Sequence, residues 1–328
     1  MSQQTLLRVA DLHKTYRTKA GVVDAVRGVT FDLERGGSLG IVGESGSGKS
    51  TTARLILCLE NPTSGRVLLN GRDVTELSRR EMRASRRHMQ LVFQDPLGSL
   101  NRRKTVAQII ASPLVAHRIG DRSERAARVH ELIELVGLDV SFASRTPHEL
   151  SGGQAQRVGI ARALALKPEL LILDEAVSAL DVSIQAQILN LLRKLREELD
   201  LTYLFISHDL AVVKYMCESV VVLHRGRVVE DGPGAAIFHT PQHPYTIDLL
   251  AAAQRSRVGE PGPSPSDDTE TVEWACTYFG TCTRERDPDR CRSETPTLLP
   301  AGDRQHAACH FVPSRSSVDI PQPNLEQR

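Results

Sequence analysis

The sequence lacks the features that would place a chain inside a membrane or on nucleic acid. No apolar run approaches the roughly 18 residues that a membrane-spanning helix needs, and the longest runs, at 170–173 and 220–223, have the length of strands. The first residues lack the apolar core of a signal peptide. Lysine and arginine number 41 against 40 acidic residues, and a net charge of +1 gives no reason to expect nucleic-acid binding. We therefore expect a cytoplasmic chain that meets a membrane through a partner.

Internal repeats and sustained heptads are absent too, and 328 residues suffice for one large domain with an appendage or for two modest domains. Through the first three quarters of the chain, short apolar stretches alternate with amphipathic ones, which is typical of an α/β domain. The predicted strands are residues 6–12, 29–33, 38–42, 91–93, 170–173 and 202–206, with a hairpin from 220–223 and 227–230. The predicted helices are residues 50–59, 123–136, 155–166 and 184–199.

The composition of the chain changes after residue 253. Residues 256–270 are rich in Ser, Pro, Gly and Asp and show no apolar periodicity, so we interpret them as part of a linker. The predicted organisation is a main domain at 1–253, a linker at 254–272, a cysteine-containing extension at 273–312 and a disordered tail at 313–328.

A glycine-rich run lies between the predicted strand at 38–42 and the predicted helix at 50–59. Its residues are Gly43, Glu44, Ser45, Gly46, Ser47, Gly48, Lys49 and Ser50, with Thr51 next. They fit the phosphate-binding loop, in which glycines let several backbone N–H groups point at phosphate oxygens. Lys49 is expected to reach the β- and γ-phosphates of ATP, and Ser50 is expected to ligate Mg²⁺. The alternative is a chance glycine-rich turn, which the flanking strand and helix disfavour.

Two carboxylates, Asp174 and Glu175, follow the apolar strand predicted at 170–173. Open α/β sheets bind ligands at the carboxyl ends of their strands. We expect Asp174 to hold Mg²⁺ and Glu175 to act as the general base on the attacking water. A strand that ends in Asp-Glu is weak evidence alone, because carboxylates after strands are common, and the phosphate-binding loop makes it strong.

A third motif precedes the predicted helix at 155–166. It consists of Ser151, Gly152, Gly153 and Gln154. A Ser-Gly-Gly turn at a helix N-terminus is an anion site that needs no lysine. The alternative is an ordinary helix cap made by Ser151.

These residues resemble the signature motif of the ATP-binding cassette (ABC) ATPases, and the order of the other motifs supports the same resemblance. Gln94 follows the strand at 91–93, Asp181 closely follows the Asp-Glu pair, and His208 follows the strand at 202–206. The resemblance implies an α/β fold with a RecA-like core, an antiparallel β subdomain and a helical subdomain. The cysteine-containing extension would be added at the C-terminal side of this fold.

The resemblance also implies roles at the nucleotide. Tyr16 is expected to stack on adenine, with a half-buried tyrosine at a strand end as the alternative. Gln94 is expected to contact Mg²⁺ or the attacking water, and His208 to contact the γ-phosphate and orient Glu175. Further expected nucleotide contacts are made by Thr51, Ser151, Gly152, Gly153, Gln154 and Asp181.

ABC cassettes dimerise head to tail, so each ATP lies between the phosphate-binding loop of one subunit and the signature of the other. The implied partners are therefore a second cassette, identical or homologous, and two membrane-spanning permease subunits that dock at a groove formed by residues 95–101. An extracytoplasmic solute-binding protein would act indirectly. The chain would lie peripherally on the cytoplasmic face of the cell membrane.

Several runs narrow the resemblance to the oligopeptide/dipeptide importer family. They are Phe93-Gln94-Asp95-Pro96, Ser99-Leu100-Asn101, residues 174–183, His243-Pro244-Tyr245-Thr246 and Ala308-Cys309-His310. The implied function is ATP hydrolysis that energises import of di- or oligopeptides. Ala155 and Arg102 depart from the basic residue and the proline usual in relatives. Related cassettes serve nickel and glutathione importers, so import of nickel or of glutathione remains an alternative function. A soluble non-transport ABC ATPase is disfavoured, because it would carry two cassettes or a long coiled coil.

Four of the six cysteines lie in the last fifth of the chain, and Cys58 and Cys217 lie alone in apolar stretches. The four are Cys276, Cys282, Cys291 and Cys309, separated by 5, 8 and 17 residues. This is not the paired Cys-x₂-Cys pattern of common zinc modules. The segment also has too few apolar residues to fold without a bound metal or a disulfide. In a reducing compartment metal is favoured over disulfides.

Four thiolates suit a tetrahedral zinc ion or a [4Fe–4S] cluster, and disulfides or unliganded thiols remain alternatives. His306 or His310 would be a substitute ligand. The resemblance to importer relatives with this cysteine pattern implies the iron–sulfur cluster.

Overall fold

The computed structural model describes residues 4–19, 21–258, 274–282, 284 and 287–312. Most of the predicted linker at 254–272 and all of the predicted tail at 313–328 lie outside the described residues. Two β-sheets and the surrounding helices make up the described part. None of the helices in that part is long and apolar enough to cross a membrane.

Four strands near the N-terminus form an antiparallel sheet in the order β2-β1-β4-β5. They are β1 (Thr5–Thr18), β2 (Gly21–Glu34), β4 (Ser64–Leu69) and β5 (Arg72–Asp73). The predictions at 6–12 and 29–33 identify β1 and β2 but are too short. The missing parts pair with each other, as Tyr16 with Val23. Their side chains are mostly exposed or half-buried, so backbone pairing forms these parts and the apolar pattern gives no sign of them.

Eight strands form the main sheet, in the order β11-β12-β10-β9-β3-β8-β7-β6, where β11 (Leu299–Gly302) and β12 (Gln305–Ala307) belong to the C-terminal extension. Those predicted from the sequence are β3 (Ser38–Val42), β6 (Met89–Val92), β7 (Leu170–Asp174), β8 (Thr202–Ile206), β9 (Ser219–His224) and β10 (Arg227–Pro233). Neighbours from β6 to β9 pair in parallel, and β10 returns antiparallel to β9 as the predicted hairpin. Every residue of β3 and β8 is buried, as expected of strands covered on both faces.

The described part of the chain contains ten α-helices. They are α1 (Lys49–Ile56), α2 (Arg79–Ser85), α3 (Val106–Ala116), α4 (Arg122–Leu135), α5 (Gly152–Leu164), α6 (Val182–Leu199), α7 (Leu210–Met216), α8 (Gly234–His239), α9 (Pro244–Val258) and α10 (Pro288–Ser293), with short 3-10 helices at Val140–Ser144 and Pro147–Glu149. The predicted helices at 123–136 and 184–199 match α4 and α6 closely. The helix predicted at 50–59 ends early, because Cys58 has a left-handed backbone conformation with φ of 48°.

Helices α3, α4 and α5 pack together as a separate helical layer beside the main sheet. Buried apolar side chains such as Ile110, Leu132 and Val158 fill the space between them. α5 begins at Gly152, ahead of the predicted start at 155, because Ser151 caps it. The predicted α/β fold, with an antiparallel β subdomain and a helical subdomain, is therefore confirmed.

The C-terminal extension joins the main sheet. α9 continues to Val258, past the predicted boundary at 253. Strands β11 (Leu299–Gly302) and β12 (Gln305–Ala307) form a hairpin, and β12 pairs antiparallel with β10. The extension thus adds two strands to the edge of the sheet that carries the predicted site.

A buried carboxylate fastens this edge. Glu230 of β10 has no exposed surface, and both of its oxygens accept hydrogen bonds. Oε1 accepts from the backbone N–H of Gln242 at 2.8 Å and from Nε2 of Gln305 at 2.7 Å, and Oε2 accepts from the backbone N–H of His243 at 2.9 Å. Glu230 therefore joins β10, the start of α9 and β12 through one side chain.

Candidate active site

The phosphate-binding loop predicted at residues 43–50 leaves the end of β3 and enters α1. Gly43 has φ of 151°, and a Cβ atom there would lie 2.2 Å from the carbonyl oxygen of Leu223. Gly48 has φ of 102°, and a Cβ atom there would lie 2.5 Å from the carbonyl oxygen of Ala25. Both positions require glycine, because the backbone is left-handed and neighbouring main chain leaves no room.

The first turn of α1 is suited to bind an anion. The helix begins at Lys49, and its N-cap, Gly48, has no side chain to bond the free N–H groups of that turn. The Nζ of Lys49 lies 2.7 Å from the carbonyl oxygens of both Gly43 and Glu44. Burial lowers the pKa of Lys49, and the nearby carboxylates of Glu175 and Asp174 oppose that shift. The cation is thus held over the loop, as predicted for a residue that meets phosphates.

The predicted magnesium ligands Ser50 and Asp174 face each other across the end of the sheet. The Oγ of Ser50 lies 3.4 Å from Oδ1 of Asp174. Burial raises the pKa of Asp174, and the adjacent Glu175 raises it further. A cation between these oxygens would relieve both effects, and oxygen donors are the ligands that Mg²⁺ prefers. The donor set therefore fits the ion.

The carboxylate of Glu175 is held from two sides. Nε2 of Gln94 donates to Oε2 at 2.7 Å, and Nδ1 of His208 lies 3.0 Å from Oε1. The backbone of Glu175 is left-handed, with φ of 46°, and its N–H donates to the carbonyl oxygen of Ile206. A strained backbone at a non-glycine residue is common at functional sites. The predicted contact of His208 with Glu175 is present, and Gln94 adds a second contact that the sequence did not predict.

One cavity of ≈ 510 Å³ collects most of these residues. It is lined by Ala25, Ser45, Gly46, Gly48, Lys49, Ser50, Thr51, Glu175 and His208. A phosphate-binding loop, a lysine, a pair of oxygen ligands and an oriented carboxylate around one cleft are the parts needed to hydrolyse a nucleoside triphosphate. Fold and site together define an ATPase of the phosphate-loop class.

The signature residues do not line that cavity. Ser151 is exposed and caps α5: its Oγ accepts the N–H of Gln154 at 3.3 Å, and the Oε1 of Gln154 accepts the N–H of Ser151 at 2.9 Å. A Cβ atom on Gly153 would lie 2.6 Å from Cγ2 of Ile184, at the start of α6. Asp181, the N-cap of α6, is exposed and makes no side-chain cap bond. The capping role of Ser151 is present, and the anion-binding role stays a prediction.

Tyr16 is also outside the residues that line the cavity. It lies on β1, and its hydroxyl donates to Oε2 of Glu60. The Nζ of Lys14 lies 5.1 Å from the centre of its ring. Burial and Glu60 raise the pKa of Tyr16, and the nearby Thr51 in the first turn of α1 lowers it, so the Tyr16 hydroxyl lies near the loop. The predicted stacking on adenine stays a prediction.

The rear of the loop contains a residue that the sequence did not predict to act there. The backbone N–H of Glu44 donates to the hydroxyl of Tyr245 at 3.0 Å. Tyr245 belongs to the run His243-Pro244-Tyr245-Thr246, which is far from the loop in the chain. This run resembles the importer family in sequence, but no local sequence pattern predicts that Tyr245 contacts the phosphate-binding loop.

The four clustered cysteines line one small cavity of ≈ 20 Å³. None of the six cysteines, all of which are described, is in a disulfide. Among the described residues, no three His, Cys, Asp or Glu side chains converge as the ligands of a single metal ion do. Burial raises the pKa of Cys291 to about 11, and the neighbouring thiols add to this effect. Of the two alternative ligands, His306 pairs with Asp231 and His310 bonds the carbonyl oxygen of Glu294.

Comparison with known proteins agrees with the fold and the site. The family model described as ABC transporter matches residues 26–178. A relative from Sinorhizobium fredii, named as a probable peptide ABC transporter ATP-binding protein, is 48% identical over 96% of this chain and 92% of its own length. The oligopeptide transport ATP-binding protein AppF of Bacillus subtilis is 44% identical over 94% of this chain and 98% of its own length.

A solved structure supports the same assignment. An ATP-binding cassette captured as a dimer after hydrolysis, with ADP and phosphate bound, superposes with a TM-score of 0.64 at 33% identity, over 70% of this chain and 98% of that one. The chain belongs to the ABC transporter family. It is an ATP-binding subunit of that family and an ATPase.

Proposed function

We propose that this chain hydrolyses ATP to energise a membrane importer of di- or oligopeptides. The proposal of ATP hydrolysis rests on the carboxylate of Glu175, which is held between Gln94 and His208 beside the phosphate-binding loop. The proposal of peptide import rests on relatives that are named for peptide and oligopeptide transport.

In this proposal each side chain of the cleft has one task. Lys49 and the N–H groups at the start of α1 bind the phosphates. Ser50 and Asp174 hold Mg²⁺, which supplies positive charge to the phosphate oxygens when bound. Glu175 takes a proton from the attacking water, whose oxygen bonds to the γ-phosphorus in line as the bond to the bridging oxygen of ADP breaks. His208 touches the γ-phosphate and, with Gln94, keeps the carboxylate of Glu175 in position.

A second cassette completes each site. Ser151 is exposed at the N-terminus of α5, the end of a helix that favours anions, and it does not line the cavity of its own chain. A head-to-tail partner, identical or homologous, would present these groups to the γ-phosphate. The dimeric state of the solved ABC cassette supports this arrangement.

We place the chain on the cytoplasmic face of the membrane, bound to two permease subunits and served by an extracytoplasmic solute-binding protein. A groove of ≈ 200 Å³ is suited to receive a permease segment. It is lined by Leu57, Leu59, Met89, Phe93, Pro113 and Arg162, among others. The predicted stretch at 95–101 forms turns beside Phe93 and does not line the groove itself.

We also propose that the clustered thiols of Cys276, Cys282, Cys291 and Cys309 hold a [4Fe–4S] cluster. Their shared cavity supports this proposal, because thiolates gathered around one volume are the donor set of such clusters. A cluster distributes its four thiolates over four irons, so they need not converge on one point as the ligands of zinc do. Bound iron would also displace the protons that burial favours on Cys276 and Cys291, whose pKa values burial raises.

Peptide uptake tests the proposed function. A strain that lacks this chain should lose uptake of a labelled tripeptide, and the wild-type chain should restore it. Lys49→Ala should fail at equal expression, because its charge faces the phosphates, while Lys104→Ala on an exposed loop should restore uptake fully. Unchanged uptake of the labelled tripeptide, which is an ordinary α-linked peptide and not glutathione, together with loss of nickel or glutathione uptake, would contradict the proposed import of di- or oligopeptides.

A further inference from the structure

The phosphate-binding loop is fixed from behind by three contacts, which come from different parts of the chain. The N–H of Gly226, in the turn between β9 and β10, donates to the carbonyl oxygen of Ser47 at 2.9 Å. Gly43 lies directly against the carbonyl of Leu223. The third contact is the hydroxyl of Tyr245, which accepts the N–H of Glu44. Only the third is made by a side chain.

That hydroxyl holds the peptide group between Gly43 and Glu44 from one side, and Lys49 holds the same group from the other. The N–H of this peptide donates to Tyr245 at 3.0 Å, and its carbonyl oxygen accepts from the Nζ of Lys49 at 2.7 Å. Because a peptide unit is planar and rigid, fixing the N–H also fixes the direction of the carbonyl. Tyr245 therefore orients the group against which the lysine rests.

Tyr245 has little freedom to move. Its side chain is 2% exposed, and its ring centre lies 4.3 Å from that of His224 and 5.4 Å from that of Tyr278. Neither Tyr245 nor Glu44 lines the nucleotide cavity, whereas Ser45 does. Tyr245 thus acts on the loop immediately before the residues that face the phosphates.

Tyr278 links this arrangement to the cysteine segment. It lies between Cys276 and Cys282 in the chain, and its hydroxyl donates to Oδ2 of Asp248 on α9. The neighbouring Thr277 approaches Nδ1 of His224 at 2.9 Å, so two consecutive residues of the segment bind the rings behind the loop. The cavity shared by the four thiols includes Tyr278 in its lining.

We propose that Tyr245 is a positioning residue for the phosphate-binding loop and that Tyr278 of the cysteine segment holds it there. The segment then sets the affinity of the cleft for nucleotide without touching the nucleotide. This inference rests on the proposal that the loop of Lys49 binds ATP. The physical basis is preorganisation. If the loop has its binding conformation in only a fraction of the molecules, its affinity for the nucleotide falls in proportion to that fraction.

Binding of a non-hydrolysable Mg-ATP analogue to the full-length chain tests the proposal. Tyr245→Phe keeps the ring and removes the acceptor of the Glu44 N–H, so Kd should rise about threefold to tenfold, the effect of one neutral hydrogen bond. The matched control is Tyr203→Phe, which removes another buried hydroxyl, one that donates to the carbonyl oxygen of Leu192. Its Kd should stay within about twofold of wild type even if its thermal midpoint falls.

A second pair of variants tests the link to the cysteine segment. Tyr278→Leu should weaken nucleotide binding by a similar factor, because the ring that packs on Tyr245 is lost. Phe279→Leu, whose ring packs on Trp274 instead, should not. If Tyr245→Phe does not fold, this second pair still decides the link to the loop.

ATP hydrolysis separates positioning from general damage. KM should follow Kd in Tyr245→Phe and Tyr278→Leu, while kcat at saturating ATP stays within about twofold of wild type, since Glu175 and its partners are unchanged. Equal Kd values for Tyr245→Phe, Tyr278→Leu and their controls would overturn the proposal. Unimpaired binding by Lys49→Ala would instead overturn the assignment of the loop, so the two failures are distinguishable.

Discussion

The two sides of the phosphate-binding loop are built in opposite ways. On the nucleotide side, Lys49, Glu175 and His208 surround an open cleft, and Glu175 has a strained backbone. On the rear side, Tyr245 and Glu230 are buried and fully engaged in packing or hydrogen bonds. Chemistry requires polar groups that are ready for a ligand, and such groups contribute little to stability. Changes on the nucleotide side should therefore alter catalysis, and changes on the rear side should alter stability or affinity.

The largest effect is expected at the cysteine segment, which joins the rear side. Anaerobically purified wild-type protein should be brown and contain about four irons per chain, and Cys291→Ser should contain almost none because it removes one of four thiolate ligands. Cys58→Ser is the matched control, since Cys58 is partly buried away from the segment and should not change the iron content.

Iron and zinc analysis by mass spectrometry decides this prediction. Colourless wild-type protein with one zinc per chain, or with four titrating thiols, would contradict the proposed cluster. The same result would leave the nucleotide side of the comparison unaffected.

The next largest effect concerns Glu230. Glu230→Gln should lower the free energy of unfolding by about 2 kcal/mol, because an amide NH₂ would then face an N–H donor at a buried site. Denaturant unfolding measures the change. Glu218→Gln, which disrupts an ion pair between Glu218 and Arg196 at a largely exposed carboxylate, should cost less than about 1 kcal/mol.

A lower kcat of folded Glu230→Gln, with a free energy of unfolding equal to that of wild type, would contradict the distinction between the two sides of the loop. Such a result would mean that the rear side takes part in the chemistry.

An effect of similar size is expected from pH. Burial lowers the pKa of His224 to about 3 from an ordinary value near 6.5. Between these values the unfolded chain binds a proton that the folded chain does not, so stability falls as the pH decreases through this window. The contribution approaches about 1.4 kcal/mol per pH unit.

His224→Gln should remove that contribution, so the loss of stability between pH 6.5 and pH 4.5, which are about two units apart, should be smaller than in wild type. His243, whose pKa burial lowers to about 4, contributes equally to both proteins. Parallel pH dependences in denaturant unfolding of the two proteins would show that His224 is not the buried neutral group described here.

The nucleotide side could be predicted from the sequence because each of its parts is local. Lys49 and Ser50 follow a buried strand through a glycine turn, and Asp174 and Glu175 end another strand, so strand order alone brings them to one sheet edge. The contact between His208 and Glu175 is implied by the resemblance to ABC ATPases, and these residues follow strands β7 and β8, which are neighbours in the sheet. The hydrogen bond from Gln94 to Glu175 was not predicted, although these two residues follow the neighbouring strands β6 and β7.

The rear side could not be predicted, because it depends on long-range packing. The hydrogen bond between Glu44 and Tyr245 joins residues that are 201 positions apart in the chain. Strand β12, which pairs with β10, has no alternating apolar pattern that would predict a strand. The polar half of β1 was missed because it pairs without being buried. Periodicity reports burial within one element and gives no information about which distant element covers it.

The fate of bound ATP tests the central claim most directly. When the purified chain is in excess over radiolabelled Mg-ATP, wild type should convert the bound nucleotide to ADP. Glu175→Gln should hold it as ATP, with the rate of cleavage reduced by roughly 10² or more because the water loses its base. Lys49→Ala should retain no nucleotide. Cleavage by Glu175→Gln at the wild-type rate would contradict the account, because the carboxylate held by Gln94 and His208 would then not be the base.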